Sequence, residues 1–114
     1  MHNKDLINNL VELIEKNIDD NTFNIDSLSS SIKMSRSVLF KKVKEITGHP
    51  PIRLIHDIKM KKAAQLLRSG EFLVKEIPPK IGVSDLKYFG ICFKAKYGMP
   101  PQKYKKEMIC NKNY

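Results

Sequence analysis

Residues 51–69 read PIRLIHDIKMKKAAQLLRS, with Pro51 at one end, Gly70 just past the other and no helix breaker between. Proline suits a first helical position and glycine the residue beyond a helix end, so the spacing predicts one helix over 51–69. Its apolar residues Ile52, Leu54, Ile55, Ile58, Met60, Ala63, Ala64, Leu66 and Leu67 cover much of the circumference. A helix apolar that far round is covered on more than one side.

On either side of this helix the same pattern is written. Upstream stand Leu28, Ile32, Ser35, Leu39, Val43, Gly48, Pro50 and Pro51; downstream stand Ile77, Ile81, Asp85, Phe89, Phe93, Gly98, Pro100 and Pro101. The offset is 49 for the first two positions and 50 for the rest, so one residue is inserted at the internal turn. Two copies of one supersecondary element follow from such a repeat. The helix between them is a strut.

At 114 residues the chain is one ordinary domain, or two very small ones sharing a helix. No apolar run approaches a membrane span, and the N-terminal MHNKDLINNL lacks the basic-then-apolar order of a signal peptide. Cys92 and Cys110 are too few for a zinc site or disulfide framework and read as free thiols in a reducing cytoplasm. His2, His49 and His56 are scattered, with no carboxylate pair, nucleophile–base arrangement or Gly-rich phosphate loop beside them. Neither an enzyme nor a bound cofactor or metal is expected. The formal charge of +9 is uneven: residues 1–24 hold two lysines against five acids. The rest of the chain therefore points to a polyanionic partner.

Taken in order, Leu6, Ile7, Leu10, Val11, Ile14 and Ile18 recur at helical spacing and predict an amphipathic helix from about Asp5 to Ile18. Asn24 is a cap for the next helix, with Phe23 and Leu28 stapled across it. After a turn at Lys33-Met34, Ser35 caps a basic helix that buries Leu39, Val43 and Ile46 and is closed by Gly48. Two short helices joined by a tight turn, the second one basic, make a helix-turn-helix whose second helix fits a DNA major groove. A strut of 19 residues spans about 28 Å. Two readers on one DNA face need centres about 34 Å apart, and a strut of that length plus the width of each unit gives a separation of that order. In the second copy Leu73 is no cap and Pro78-Pro79 interrupt the pattern, so its first helix is expected to be short or to begin near Pro78. Its second helix is expected from about Ser84 to Tyr97, burying Phe89 and Phe93. A short closing helix, PQKYKKEM, packs Tyr104, and the tail CNKNY is expected to fray.

These stretches resemble the DNA-binding domain of the AraC/XylS family of bacterial transcription regulators. The likeness runs from about Phe23 to Lys106 and is carried by MSRSVLFKKVKEITGHPP, IKMKKAAQLLRSG, EIPPKIGVSDLKYFGICFKAKYG and MPPQKYK. It implies an all-α fold of about seven helices, two helix-turn-helix units joined by a long central helix. The segments are then 1–22 (helix or linker), 23–50 (first unit), 51–70 (connector), 71–108 (second unit and closing helix) and 109–114 (tail). The N-terminal helix leading into FNIDSL is similar to the version that follows a receiver domain in Bacteroides-type hybrid two-component sensors.

The resemblance implies a sequence-specific double-stranded DNA-binding module, reading the major groove mainly with helix 35–47. Ser37, Phe40 and Lys41 would face bases, with Arg36 and Lys44 near phosphates. Leu86, Lys87, Gly90 and Ile91 are the corresponding positions of the second unit, with Lys94 near the backbone. The family usually has alanine at Pro78, phenylalanine at Val83, arginine at Lys59, a serine-arginine pair at Gly90-Ile91, and capping serines at Pro50 and Pro100. Leu86, Gly90 and Ile91 offer no hydrogen-bonding side chain, and an apolar contact of Leu86 or Ile91 with a thymine methyl is open to that helix. The implied partners are duplex DNA, RNA polymerase and an upstream receiver or sensor domain. The implied location is the cytoplasm, within a module that a membrane-anchored sensor could carry, and this segment itself would meet no small molecule or membrane. The competing reading is a protein-interaction module derived from this fold, with weak or nonspecific DNA binding. RNA binding is weaker, because Phe89, Phe93 and Tyr104 look inward and form no stacking platform.

Overall fold

A computed structural model describes residues 3–112, with side chains from 4 to 109. Seven α-helices and one 3-10 turn make up the described residues, and no strand occurs among them. They are α1 (Asn3–Lys16), α2 (Ile25–Ile32), α3 (Arg36–Thr47), α4 (Pro51–Ser69), the 3-10 turn Val74–Glu76, α5 (Ile77–Lys80), α6 (Leu86–Tyr97) and α7 (Pro101–Lys112). The chain divides into two compact units, Met1–Ile58 and Lys59–Tyr114, and the division falls inside α4.

In the first unit α1 turns Leu6, Leu10 and Ile14 inward, where they are almost wholly buried with Leu28 of α2, Leu39 and Val43 of α3 and Ile55 of α4. Phe23, Ile32, Met34 and Ile46 pack around that cluster. The helix stops at Lys16, two residues short of the expected Ile18. There the Asn17 amide donates to the Leu13 carbonyl at 2.8 Å, a side-chain bond that competes with further helix, and Ile18 falls in a turn. Asn24 and Ser35 cap α2 and α3: the Asn24 side chain accepts the Ser27 N–H, and the Ser35 hydroxyl accepts the Val38 N–H.

In the second unit the core is aromatic. Phe93 lies 5.8 Å from Phe89, 4.6 Å from Tyr97 and 5.2 Å from Tyr104, ring centre to ring centre. Ile77 and Ile81 are fully buried in this unit, as are Ala63, Ala64 and Leu67 of α4. The Tyr104 hydroxyl, the polar end of a buried ring, is met by Arg68 Nη1 at 2.8 Å. Pro78 and Pro79 lie in the first turn of the four-residue α5, where a missing N–H is no loss. The preceding 3-10 turn starts without a capping side chain at Leu73, and the Glu76 carboxylate accepts the Leu73 N–H at 2.8 Å instead.

Two boundaries differ from the sequence reading. Helix α6 begins at Leu86 and not near Ser84, because Asp85 is its cap and accepts the Lys87 and Tyr88 N–H groups at 2.9 and 3.3 Å. Helix α7 continues to Lys112, so the first three residues of the tail CNKNY are helical in backbone. In that last part of the helix the Ile109 side chain lies near Gly70, 3.4 Å from where a Cβ there would be. Asn113, Tyr114, His2 and the Cys110 side chain lie outside the described residues.

The repeat is geometric as well as textual. Gly48 and Gly98 close α3 and α6 with φ/ψ of 81°/0° and 80°/0°, a left-handed conformation that glycine adopts without a Cβ clash. Each donates its N–H over 2.8 Å, to the carbonyls of Lys44 and Lys94 respectively.

Candidate nucleic-acid interface

Each unit holds a short helix, a tight turn and a twelve-residue helix. In the first turn the Met34 N–H donates to the Ser29 carbonyl at 3.0 Å; in the second the Val83 N–H donates to the Pro78 carbonyl at 2.9 Å. Donors and acceptors are both 49 residues apart, so the two turns share one hydrogen-bond scheme. In the second turn the Gly82 carbonyl also takes a bond of 3.4 Å from Lys59 Nζ.

With Leu39 and Val43 buried, α3 presents Arg36, Ser37, Phe40, Lys41 and Lys44 to solvent on the remaining face. Arg36 Nε lies 3.4 Å from Asp26 Oδ1, but both side chains are 68% exposed. Ion pairs this open contribute little, so Arg36 can leave Asp26 for another anion at small cost. Lys44 Nζ sits 5.8 Å from the centre of the Phe40 ring, a cation–π contact that holds ring and charge together.

Helix α6 buries Phe89 and Phe93 and exposes Leu86, Lys87, Ile91 and Lys94, with Gly90 half-exposed among them. All ten residues singled out in the sequence thus reach solvent, five on α3 and five on α6. Sequence reasoning passed over Val38 and Tyr88, which are 43% and 58% exposed in the first turn of each helix. They stand 50 positions apart, so the repeat itself is the signal that pairs them. The Cys92 side chain, first through a hydrogen bond and then through its charge, pushes the Tyr88 phenol above its ordinary pKa, with burial adding a little. Tyr88 therefore keeps its O–H donor at neutral pH.

The two units differ most in one cleft. In the first, Ile25, Arg36, Phe40, Pro50, Pro51 and Ile52 line a cavity of about 160 Å³. At the equivalent positions of the second, Val74, Leu86, Gly90, Pro100, Pro101 and Gln102 help line one of about 460 Å³. Phe40 faces Gly90 in this correspondence, and a Cβ on Gly90 would meet nothing within 4 Å. Charge differs too. Residues 1–58 hold eight Lys/Arg against eight Asp/Glu, whereas 59–114 hold thirteen against four, so the whole excess of +9 belongs to the second unit.

A helix-turn-helix domain family matches residues 28–107, most of the chain. The chain belongs to the AraC/XylS family of helix-turn-helix DNA-binding domains. This AraC-type domain is 31% identical over 99 residues to "Histidine kinase P4" of Formosa agariphila, covering 87% of this chain and 7% of that protein. It is 33% identical over 100 residues to "HTH-type transcriptional regulator MtrA" of Neisseria gonorrhoeae, covering 86% of this chain and 33% of that protein. The AraC-type domain therefore spans a third or less of these two curated relatives. Among solved structures, it is similar to the C-terminal domain of AraT, a response regulator from Geobacillus stearothermophilus. That match has a TM-score of 0.81 and 28% identity, and covers 89% of this chain and 84% of that one. These likenesses bear out the all-α double helix-turn-helix fold and favour DNA binding over the protein-interaction reading. No helix among the described residues is long and apolar enough to cross a membrane.

Proposed function

We propose that this AraC-type domain reads a specific duplex site with two recognition helices, α3 supplying most of the base contacts. The observation that carries the proposal is the exposed face of α3, where Ser37, Phe40 and Lys41 lie together between the cations Arg36 and Lys44. Ser37 and Lys41 offer hydrogen bonds to base edges, Phe40 an apolar contact, and the two flanking cations suit phosphates. On α6 Leu86, Lys87, Gly90 and Ile91 hold the base-facing positions, and Lys94 plays the phosphate-side part. Such a module serves a larger regulator: a receiver or sensor domain upstream supplies the signal, and RNA polymerase is the machinery acted upon. The domain works in the cytoplasm and carries out no catalysis of its own.

Selection of binders from a random duplex library, repeated at two salt concentrations, tests this. An enriched site with two half-sites about one helical turn apart is the expected result. Enrichment of a single half-site confines base reading to one unit. Binding that enriches nothing and vanishes as salt rises would sink the proposal.

A further inference from the structure

The two recognition helices occupy equivalent places in their units but carry different chemistry. On α6 the residue turned most directly away from Phe89 and Phe93 is Ile91, which is 62% exposed. Leu86, 47% exposed, lies on the other margin of the same face, and Gly90 falls between them. At 100° per residue these three span about 140° of the helix surface, with Lys87 and Lys94 in the same arc. The face is thus two apolar side chains on either side of a recess, studded with two cations. Nothing packs within 4 Å of where a Gly90 side chain would begin, so the recess is open.

Ile91, opposite the core, adds little to folding, and Leu86 is half-exposed at the core margin; the surface between them is basic, which suits a polyanion. The unit that bears them holds thirteen Lys/Arg against four Asp/Glu. In a major groove the apolar feature available to such a face is the 5-methyl group of thymine. A glycine in mid-face removes the bulk that Phe40 supplies on α3 and lets the backbone come closer to base edges.

We infer that α6 reads thymine methyl groups through Leu86 and Ile91, with Gly90 permitting the close approach. Thymine methyl groups then help to define the second half of the site. This rests on the proposal that the domain reads a specific duplex, and it adds the base chemistry of the second unit.

Deoxyuridine differs from thymidine at the base only by that methyl, which makes the test direct. Each thymine of the selected duplex is replaced singly by deoxyuridine, and Kd is measured for the 114-residue chain and its Leu86→Ala and Ile91→Ala variants. Both side chains are exposed, and circular dichroism checks that the variants fold. The wild type should lose about three- to fivefold affinity at one or two thymines of the half-site facing α6, the worth of one buried methyl. That loss should disappear in whichever variant lacks the contacting side chain, which separates the methyl contact from any change in DNA shape. Specific binding that ignores deoxyuridine throughout the second half-site would overturn the inference and leave sequence-specific reading standing. Equal deoxyuridine sensitivity in the wild type and both variants would overturn it too, as would variants that bind DNA like the wild type. The last result would assign the apolar face to another occupant. Failure of the wild type to enrich any site would remove the underlying proposal as well.

Discussion

Lys33 and Gly82 hold the same left-handed backbone in the two copies of the turn, with φ of 59° and 70°. They stand 49 positions apart, where the first half of the repeat puts them in register. A side chain in this region brings Cβ close to the following carbonyl oxygen; glycine does not. Lys33→Gly should therefore stabilise the first unit by about 1 kcal/mol. Gly82→Ala should destabilise the second by a similar amount. Urea unfolding midpoints check both, and a loss of stability in Lys33→Gly would contradict the geometry.

The caps of the two recognition helices should be separable from their chemistry. Ser35→Ala removes the acceptor of the Val38 N–H, and Asp85→Ala that of the Lys87 and Tyr88 N–H groups. Each should cost about 1 kcal/mol of stability. Thermal unfolding reads the loss, and Ser35→Asn and Asp85→Asn should restore most of it.

At Gly90 stability and recognition should move in opposite directions. The residue sits in the interior of α6 with open space where a Cβ would go. Gly90→Ala should raise stability by about 1 kcal/mol through helix propensity. The same methyl fills the recess between Leu86 and Ile91, so affinity for the selected duplex should fall. Paired melting and binding curves decide it; a variant both more stable and equally tight would show that the recess is unused.

Salt dependence should follow the division of charge. Replacing Lys94 with alanine should weaken binding to all sequences alike and reduce the slope of log affinity against log salt by about 1. Ser37→Ala should change which sequences are preferred and leave the slope alone. Titrations on specific and scrambled duplexes at four salt concentrations distinguish the two behaviours.

Local signals were the legible ones. Pro51 and Gly70 marked the ends of α4, Asn24 and Ser35 announced their caps, and the repeated G-x-P-P located two helix ends with one geometry. At the second recognition helix the expected start near Ser84 lies two residues before the observed one, because Asp85 is the cap. The start of the second unit was obscured because Glu76 reaches back to the Leu73 N–H, satisfying a helix entry that no cap residue advertises. Long-range packing was invisible as well. Nothing near Cys110 says that Ile109 lies near Gly70 or that α7 continues to Lys112. At the candidate interface, composition pointed to a basic surface, while the exposure of Val38 and Tyr88 depends on how far each helix is rolled about its own axis. Periodicity fixes that roll only to within a residue or so.

Helix α4 gives Ile55 to the core of the first unit and Met60, Ala63, Ala64 and Leu67 to that of the second, and the boundary between units passes after Ile58. A helical hydrogen-bond ladder does not respect such a boundary, since the first four N–H groups past it bond back to carbonyls before it. Local opening on either side therefore unravels turns that the other side needs. A break at Ile58 would leave Ile55 with the first core and Met60, Ala63, Ala64 and Leu67 with the second, but each on a helix that has lost its continuation and with it the hydrogen bonds that close its end.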